Sequence, residues 1–168
     1  HGDATRLKTL HAEIAARAQR GDRFVYLGNL VGHGTNILET LDEALAFRRA
    51  MFAPGMEAGD FVYLRGAQEE MWNKLLQIQF AANPREVFEW MMKQGVEATL
   101  NAYGGRTDEA RSLLGEGAIT ITRWTNALRA STQRRTGHDE LLNSIKRAAF
   151  TDNRRVLFVH AGIDPHRP

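Results

Sequence analysis

The apolar positions of this chain run in two periods. Residues 4–19 place Leu7, Leu10, Ile14 and Ala18 three and four apart, which predicts an amphipathic helix with Asp3 as its N-cap and Gly21 beyond its end. Phe24-Val25-Tyr26-Leu27 is a continuous apolar run ending at Gly28, the pattern of a short buried strand. A glycine-rich loop occupies 28–35. A helix is predicted over 36–52, with Ile37, Leu38, Leu41, Leu45 and Phe52 along one face, before Pro54, Gly55 and Gly59 break the chain. Phe61-Val62-Tyr63-Leu64 then repeats the first apolar run 37 residues on. Strand, helix and strand at that spacing predict a βαβ unit with parallel strands and a right-handed crossover.

From Ala67 to about Phe150 the period is helical throughout. Segments 68–80, 84–94, 96–103, 107–114, 118–133 and 138–149 are punctuated by Pro84, Gly95, Gly104, Gly105, Gly115, Gly117 and Gly137. Val156-Leu157-Phe158-Val159 returns to a strand pattern. The expected fold is therefore α/β: parallel strands at 23–28, 60–65 and 155–160 in one sheet, interrupted by a helical insertion at about 70–150. The loops 28–34, 66–69 and 160–164 would then share one sheet edge, where open parallel sheets bind ligands. The chain begins at His1-Gly2 and stops soon after an apolar run, so we expect residues 1–168 to be a partial domain whose flanking strands lie outside it.

Composition narrows the chemistry. The 168 residues are 43% hydrophobic and 25% charged, as in ordinary globular domains. There is no cysteine, which excludes disulfides, iron–sulfur clusters and a thiol nucleophile and leads us to expect a cytoplasmic protein. Twenty-two Lys and Arg against twenty Asp and Glu give +2, too small an excess to suggest a nucleic-acid groove. No apolar run approaches the ~20 residues of a membrane span.

Generic motifs carry little. The spacing of Gly28, Gly32 and Gly34 is not that of a dinucleotide fingerprint, no Gly-Lys-Ser/Thr follows, and there is no GxSxG elbow. The order of the segments says more. His1-Gly2, then Gly28-Asn29-Leu30-Val31-Gly32-His33-Gly34 after a strand, then Gly66-Ala67-Gln68-Glu69 after a strand, then Val159-His160-Ala161-Gly162 resemble in sequence order Asp-x-His-Gly, Gly-Asp-x-x-Asp-Arg-Gly, Gly-Asn-His-Glu and Val-His-Ala-Gly. Those are the motifs of the calcineurin-like metallophosphoesterases, in particular the bacterial serine/threonine-phosphatase and diadenosine-tetraphosphatase branch.

This resemblance implies a metal-dependent hydrolase acting on a phosphate-ester substrate, with divalent ions (Mn, Fe, Zn or similar) activating water. It places His1, Asn29 and His160 at metal-ligand positions, Gln68 at the position of a histidine that protonates the leaving group, and His33 beside the phosphate. The chain also departs from the pattern. Two divalent ions ~4 Å apart repel by on the order of 15 kcal/mol at an effective dielectric of ~20, so a bridging carboxylate is needed, and Asn29 is neutral. Ala67 offers no donor, and Gln68 carries no proton that titrates near neutrality. A chain so altered is expected to hold at most one divalent ion and to have negligible turnover, which leaves a binding or regulatory role as the alternative. Each residue also has a plainer reading: Asn29 as a turn former, His33 as an exposed loop residue, Gln68 and Glu69 as first-turn helix residues, Asp164 as a turn residue before Pro165, and His160 as the cap of a strand end.

Overall fold

The computed structural model describes residues 2–162. Helix α1 spans Ala4–Ala15, and the Asp3 side chain accepts the Arg6 N–H at its N-cap. Strand β1 (Phe24–Tyr26), helix α2 (Ile37–Ala50) and strand β2 (Phe61–Tyr63) form the expected βαβ unit. β1 and β2 pair in parallel with Phe24 against Phe61, Val25 against Val62 and Tyr26 against Tyr63. The repeated run thus lies beside itself in register. Phe24 stacks on Phe61 with centroids 5.0 Å apart and Tyr26 on Tyr63 at 4.5 Å, so cross-strand aromatic pairs stabilise the sheet and fix its register.

Six helices follow: α3 (Ala67–Leu75), α4 (Pro84–Lys93), α5 (Val96–Ala102), α6 (Thr107–Leu113), α7 (Ala118–Gln133) and α8 (His138–Ser144). α4 starts where the sequence signals it, with Pro84 in the first turn and the Asn83 side chain accepting the Glu86 N–H. The helical segment predicted to run to Phe80 instead closes at Leu75, and a single 3-10 turn covers Ile78–Phe80. A continuous core joins sheet and helices through Leu41, Phe47, Tyr63, Trp72, Leu75, Phe88, Met91, Leu100, Trp124 and Leu128, all buried.

Two expectations are overturned near the end of the described chain. The helix predicted over 138–149 stops at Ser144, because Ile145 is extended (φ −60°, ψ 141°). Lys146 then bridges Leu64 in parallel, donating its N–H to the Tyr63 carbonyl and accepting the Arg65 N–H. Ala148–Phe150 forms strand β3, so the block at about 70–150 is not wholly helical. Strand β4 (Leu157–Val159) pairs antiparallel with β3 and does not join β1 and β2 in one parallel sheet. The physical cause is the turn between them: Asp152 and Asn153 are turn formers, Arg154 adopts φ 55°, and Thr151 and Val156 close the hairpin by a 3.0 Å backbone bond.

Helix α2 is pinned on two sides by adjacent carboxylates. Glu43 accepts the Nδ1–H of His11 (2.8 Å), whose Nε2 accepts the Tyr26 hydroxyl (2.9 Å). Asp42 accepts the Nε2–H of His138 (3.0 Å), whose Nδ1 accepts the Tyr103 hydroxyl (2.9 Å). An ionised carboxylate only accepts, so each bond fixes the tautomer of its histidine. Both imidazoles are buried. Burial holds His11 below its ordinary value, against the pull of Glu43. Among the described residues no helix is long and apolar enough to cross a membrane.

Candidate functional site at the strand ends

The segments that follow β1 and β2 meet at one end of the sheet. Gly28 and Gly66 make this possible. A Cβ on Gly28, which sits at φ 98°, would lie 2.4 Å from the Gly66 nitrogen, and one on Gly66 would lie 2.4 Å from the Asn29 nitrogen. Only two glycines let the loops cross backbone against backbone.

The crossing is held by Glu69, which is 3% exposed. Its Oε2 accepts the N–H groups of Asn29 (2.8 Å) and Gly66 (2.9 Å), and its Oε1 accepts the Val31 N–H (3.2 Å). Reading Glu69 as a first-turn residue of a helix gives its position correctly and misses its role. It is a buried anion enclosed by backbone donors from two loops. The cue in the sequence is its place one turn after Gly66, where a glutamate side chain folds back onto the N-cap.

Asn29 takes a left-handed conformation, φ 60°, that asparagine tolerates better than most residues. Its Oδ1 accepts the Gln68 N–H at 3.0 Å. Gln68 is buried: its Nε2 donates to the Gln94 carbonyl (2.7 Å), and its Oε1 has no hydrogen-bond partner among the described residues. The same loop reaches the helical block through the Gly32 N–H on Thr99 Oγ1 (3.0 Å) and the His33 N–H on the Gly95 carbonyl (3.2 Å). It reaches the start of the chain through the Gly2 N–H on the Leu30 carbonyl and the Asn36 N–H on the Gly2 carbonyl, both 3.1 Å.

His160 arrives at the same end from β4. Its Nδ1–H donates to the Leu27 carbonyl at 2.6 Å, which fixes the neutral ring's lone pair on Nε2. Histidines that ligate metals are commonly held this way by a carbonyl behind the ring. His160 lines an open cleft of about 530 Å³ with Arg65, Gly66, Ala67, Glu70, Arg147, Val159 and Ala161. His33 is not in this cleft. It lies at φ 55° against Gly95, where a Cβ would meet its ring at 2.3–2.6 Å, and lines a separate cleft with Thr35, Met92, Glu97 and Asn101.

The structure therefore brings Asn29, Gln68 and His160 to one strand-end region and sets His33 apart in its own cleft. His1 and Asp164 lie outside the described residues. The donor chemistry does not fit a two-metal centre. The Asn29 oxygen is engaged by Gln68, Ala67 has no donor atom, and both Glu69 oxygens accept backbone N–H groups. Among the described residues no three His, Asp or Glu side chains converge as a ligand set. His160 is oriented as a ligand would be, with its Nδ1–H on the Leu27 carbonyl. No family model, curated protein or solved structure matches the chain.

Proposed function

We propose that this protein is a phosphate-ester-recognising member of the metallophosphoesterase type whose strand-end site has become a hydrogen-bonded one. It holds at most one divalent ion, through His160, and serves binding or regulation more than turnover. The observation that carries this reading is the Asn29 Oδ1 bond to the Gln68 N–H. The position where the resemblance calls for a bridging carboxylate is neutral, and its oxygen faces the loop beside it. The order of the motif-like segments, and the meeting of the Gly28 and Gly66 loops with His160, support the phosphoesterase-type frame.

One observation favours the competing reading, a working phosphate-ester hydrolase of the protein-phosphatase or dinucleoside-polyphosphatase kind. His160 keeps its Nε2 lone pair, as a ligand needs. Metal content and turnover decide between the two. The protein is loaded with Mn²⁺, desalted, assayed for metal by elemental analysis, and tested on a generic phosphomonoester. One weakly held ion or none, with negligible hydrolysis, is the expected result; two tightly held ions and brisk turnover establish the hydrolase instead. Asn29→Asp, Ala67→Asn and Gln68→His together, with the flanking segments restored, should raise Mn²⁺ affinity, because they put a carboxylate, an amide oxygen and an imidazole at the three altered positions.

A further inference from the structure

The cleft beside His160 carries a row of basic side chains that the resemblance does not account for. Leu64 bridges Lys146 in parallel, so the next residues of the two segments, Arg65 and Arg147, are neighbours across the same end of the sheet. Ala148 pairs with Val159 in the antiparallel β3–β4 ladder, so one step outward Arg147 faces His160. Arg147 is thus the register neighbour of Arg65 on one side and of His160 on the other. All three line the same cleft.

Like charges on neighbouring strands repel unless something of opposite sign joins them. Arg65 has such a partner: its Nη1 lies 3.2 Å from Glu70, which also pairs with Lys74 at 3.6 Å. Its Nε is buried without a hydrogen-bond partner among the described residues. Arg147 is exposed, and among the described residues it makes no ion pair or side-chain hydrogen bond. The one acidic side chain among the described residues of the cleft wall, Glu70, is already shared between two cations.

We infer that Arg65 and Arg147 form a seat for a terminal phosphomonoester dianion in the cleft that His160 also lines, with Arg147 as the principal clamp. The inference rests on the phosphate-ester reading above and sharpens it to a substrate class. Guanidinium forks match phosphate oxygens in pairs. A pair of guanidiniums favours the doubly charged terminal phosphate, whose second proton leaves near pH 6, over the single charge of a diester. The clamp also falls at a different place from the one expected, since His33 lies in another cleft.

The test is direct binding, followed by ³¹P NMR and calorimetry at pH 7.5 in EDTA, so that metal content has no bearing on the outcome. The ligands are phenyl phosphate, diphenyl phosphate and inorganic phosphate, at constant ionic strength. Phenyl phosphate should bind at least tenfold more tightly than diphenyl phosphate, and Arg147→Gln should weaken it about tenfold or more. Arg134→Gln, an exposed arginine outside the cleft, should leave it unchanged. Circular dichroism melts confirm that each variant is folded. Inorganic phosphate binding as tightly as phenyl phosphate assigns the seat to the phosphate group alone, which also supports the inference. It is overturned by an unchanged affinity in Arg147→Gln, by diphenyl phosphate binding as tightly, by loss in His33→Gln but not in Arg147→Gln, or by no binding at all. Two tight metals in the separate metal assay would displace the proposed function while leaving this result to stand on its own.

Discussion

Replacing Glu69 by glutamine should loosen the strand-end crossing without removing any packing volume. In the native chain Oε2 accepts from Asn29 and Gly66 and Oε1 from Val31. A glutamine amide can keep one oxygen in place for two of those donors. Its NH₂ group must then face the third N–H, donor against donor. Hydrogen bonds to a charged acceptor contribute about 1.5–3 kcal/mol each, and a buried unpaired donor costs about 1–3 kcal/mol. The charge is lost from all three bonds and one donor is orphaned, so we expect Glu69→Gln to cost about 2–4 kcal/mol. With a urea m-value of about 2 kcal/mol/M, the unfolding midpoint should fall by about 1–2 M. Amide exchange should rise at Asn29, Val31 and Gly66 before it rises in α7, because local opening precedes global unfolding. A midpoint shift below about 0.3 M, with those three amides still protected, would refute the claim that Glu69 holds the two loops together.

Three further outcomes follow from the same structure. Gly28→Ala should be far more damaging than Gly21→Ala: both sit near φ +97°, but Gly21 has open space around it while Gly28 faces the Gly66 backbone at 2.4 Å. The Gly21 change should cost about 1–2 kcal/mol, and the Gly28 change should exceed it by at least about 2 kcal/mol in urea titrations. Because burial lowers His11 in the folded state, the unfolded chain binds the extra proton first. The His11 contribution is therefore complete above its ordinary value of 6.5 and is lost as pH falls below it toward the folded value; His11→Gln, less stable at pH 7.5, should lose less stability than wild type between pH 7.5 and 5.5. His138→Phe should leave the Tyr103 hydroxyl without its buried acceptor and cost about 1–3 kcal/mol, measurable as a lower urea midpoint with unchanged helical circular dichroism.

What could be seen in advance, and what could not, divides along range. The Phe-Val-Tyr repeat announced both the strands and their pairing, because identical side chains in adjacent parallel strands stack in register. The helix starts at Asp3 and Pro84 were legible because a cap is a local device. The strand at Ala148–Phe150 was not, since three residues are too few to display a period and their partner lies beyond a turn. Asn29, Gln68 and His160 were expected at one strand-end region because each follows a predicted strand, although the strand before His160 pairs antiparallel with β3 and not with β1 and β2. The misreading of Glu69 and the placing of His33 share a cause. Each depends on which backbone groups of a distant loop arrive beside it, Val31 in one case and Gly95 in the other, and no local pattern encodes that.

Asp42 and Glu43 are consecutive, so their side chains leave α2 about 100° apart around its axis. Glu43 is tied to the α1 and β1 side through His11 and Tyr26, Asp42 to α8 and the residue just after α5 through His138 and Tyr103. A helix held at two such angles resists rolling, because any rotation that relaxes one tie stretches the other. The Asn36 N–H at its N-cap is bonded to Gly2, so the loop from Gly28 to Asn36 hangs from a shaft that cannot turn. Displacement of that loop would have to come by sliding α2 along its length or by breaking a tie. Paired cysteines between α1 and α2 would therefore freeze the loop from a distance, with no change made to the loop itself.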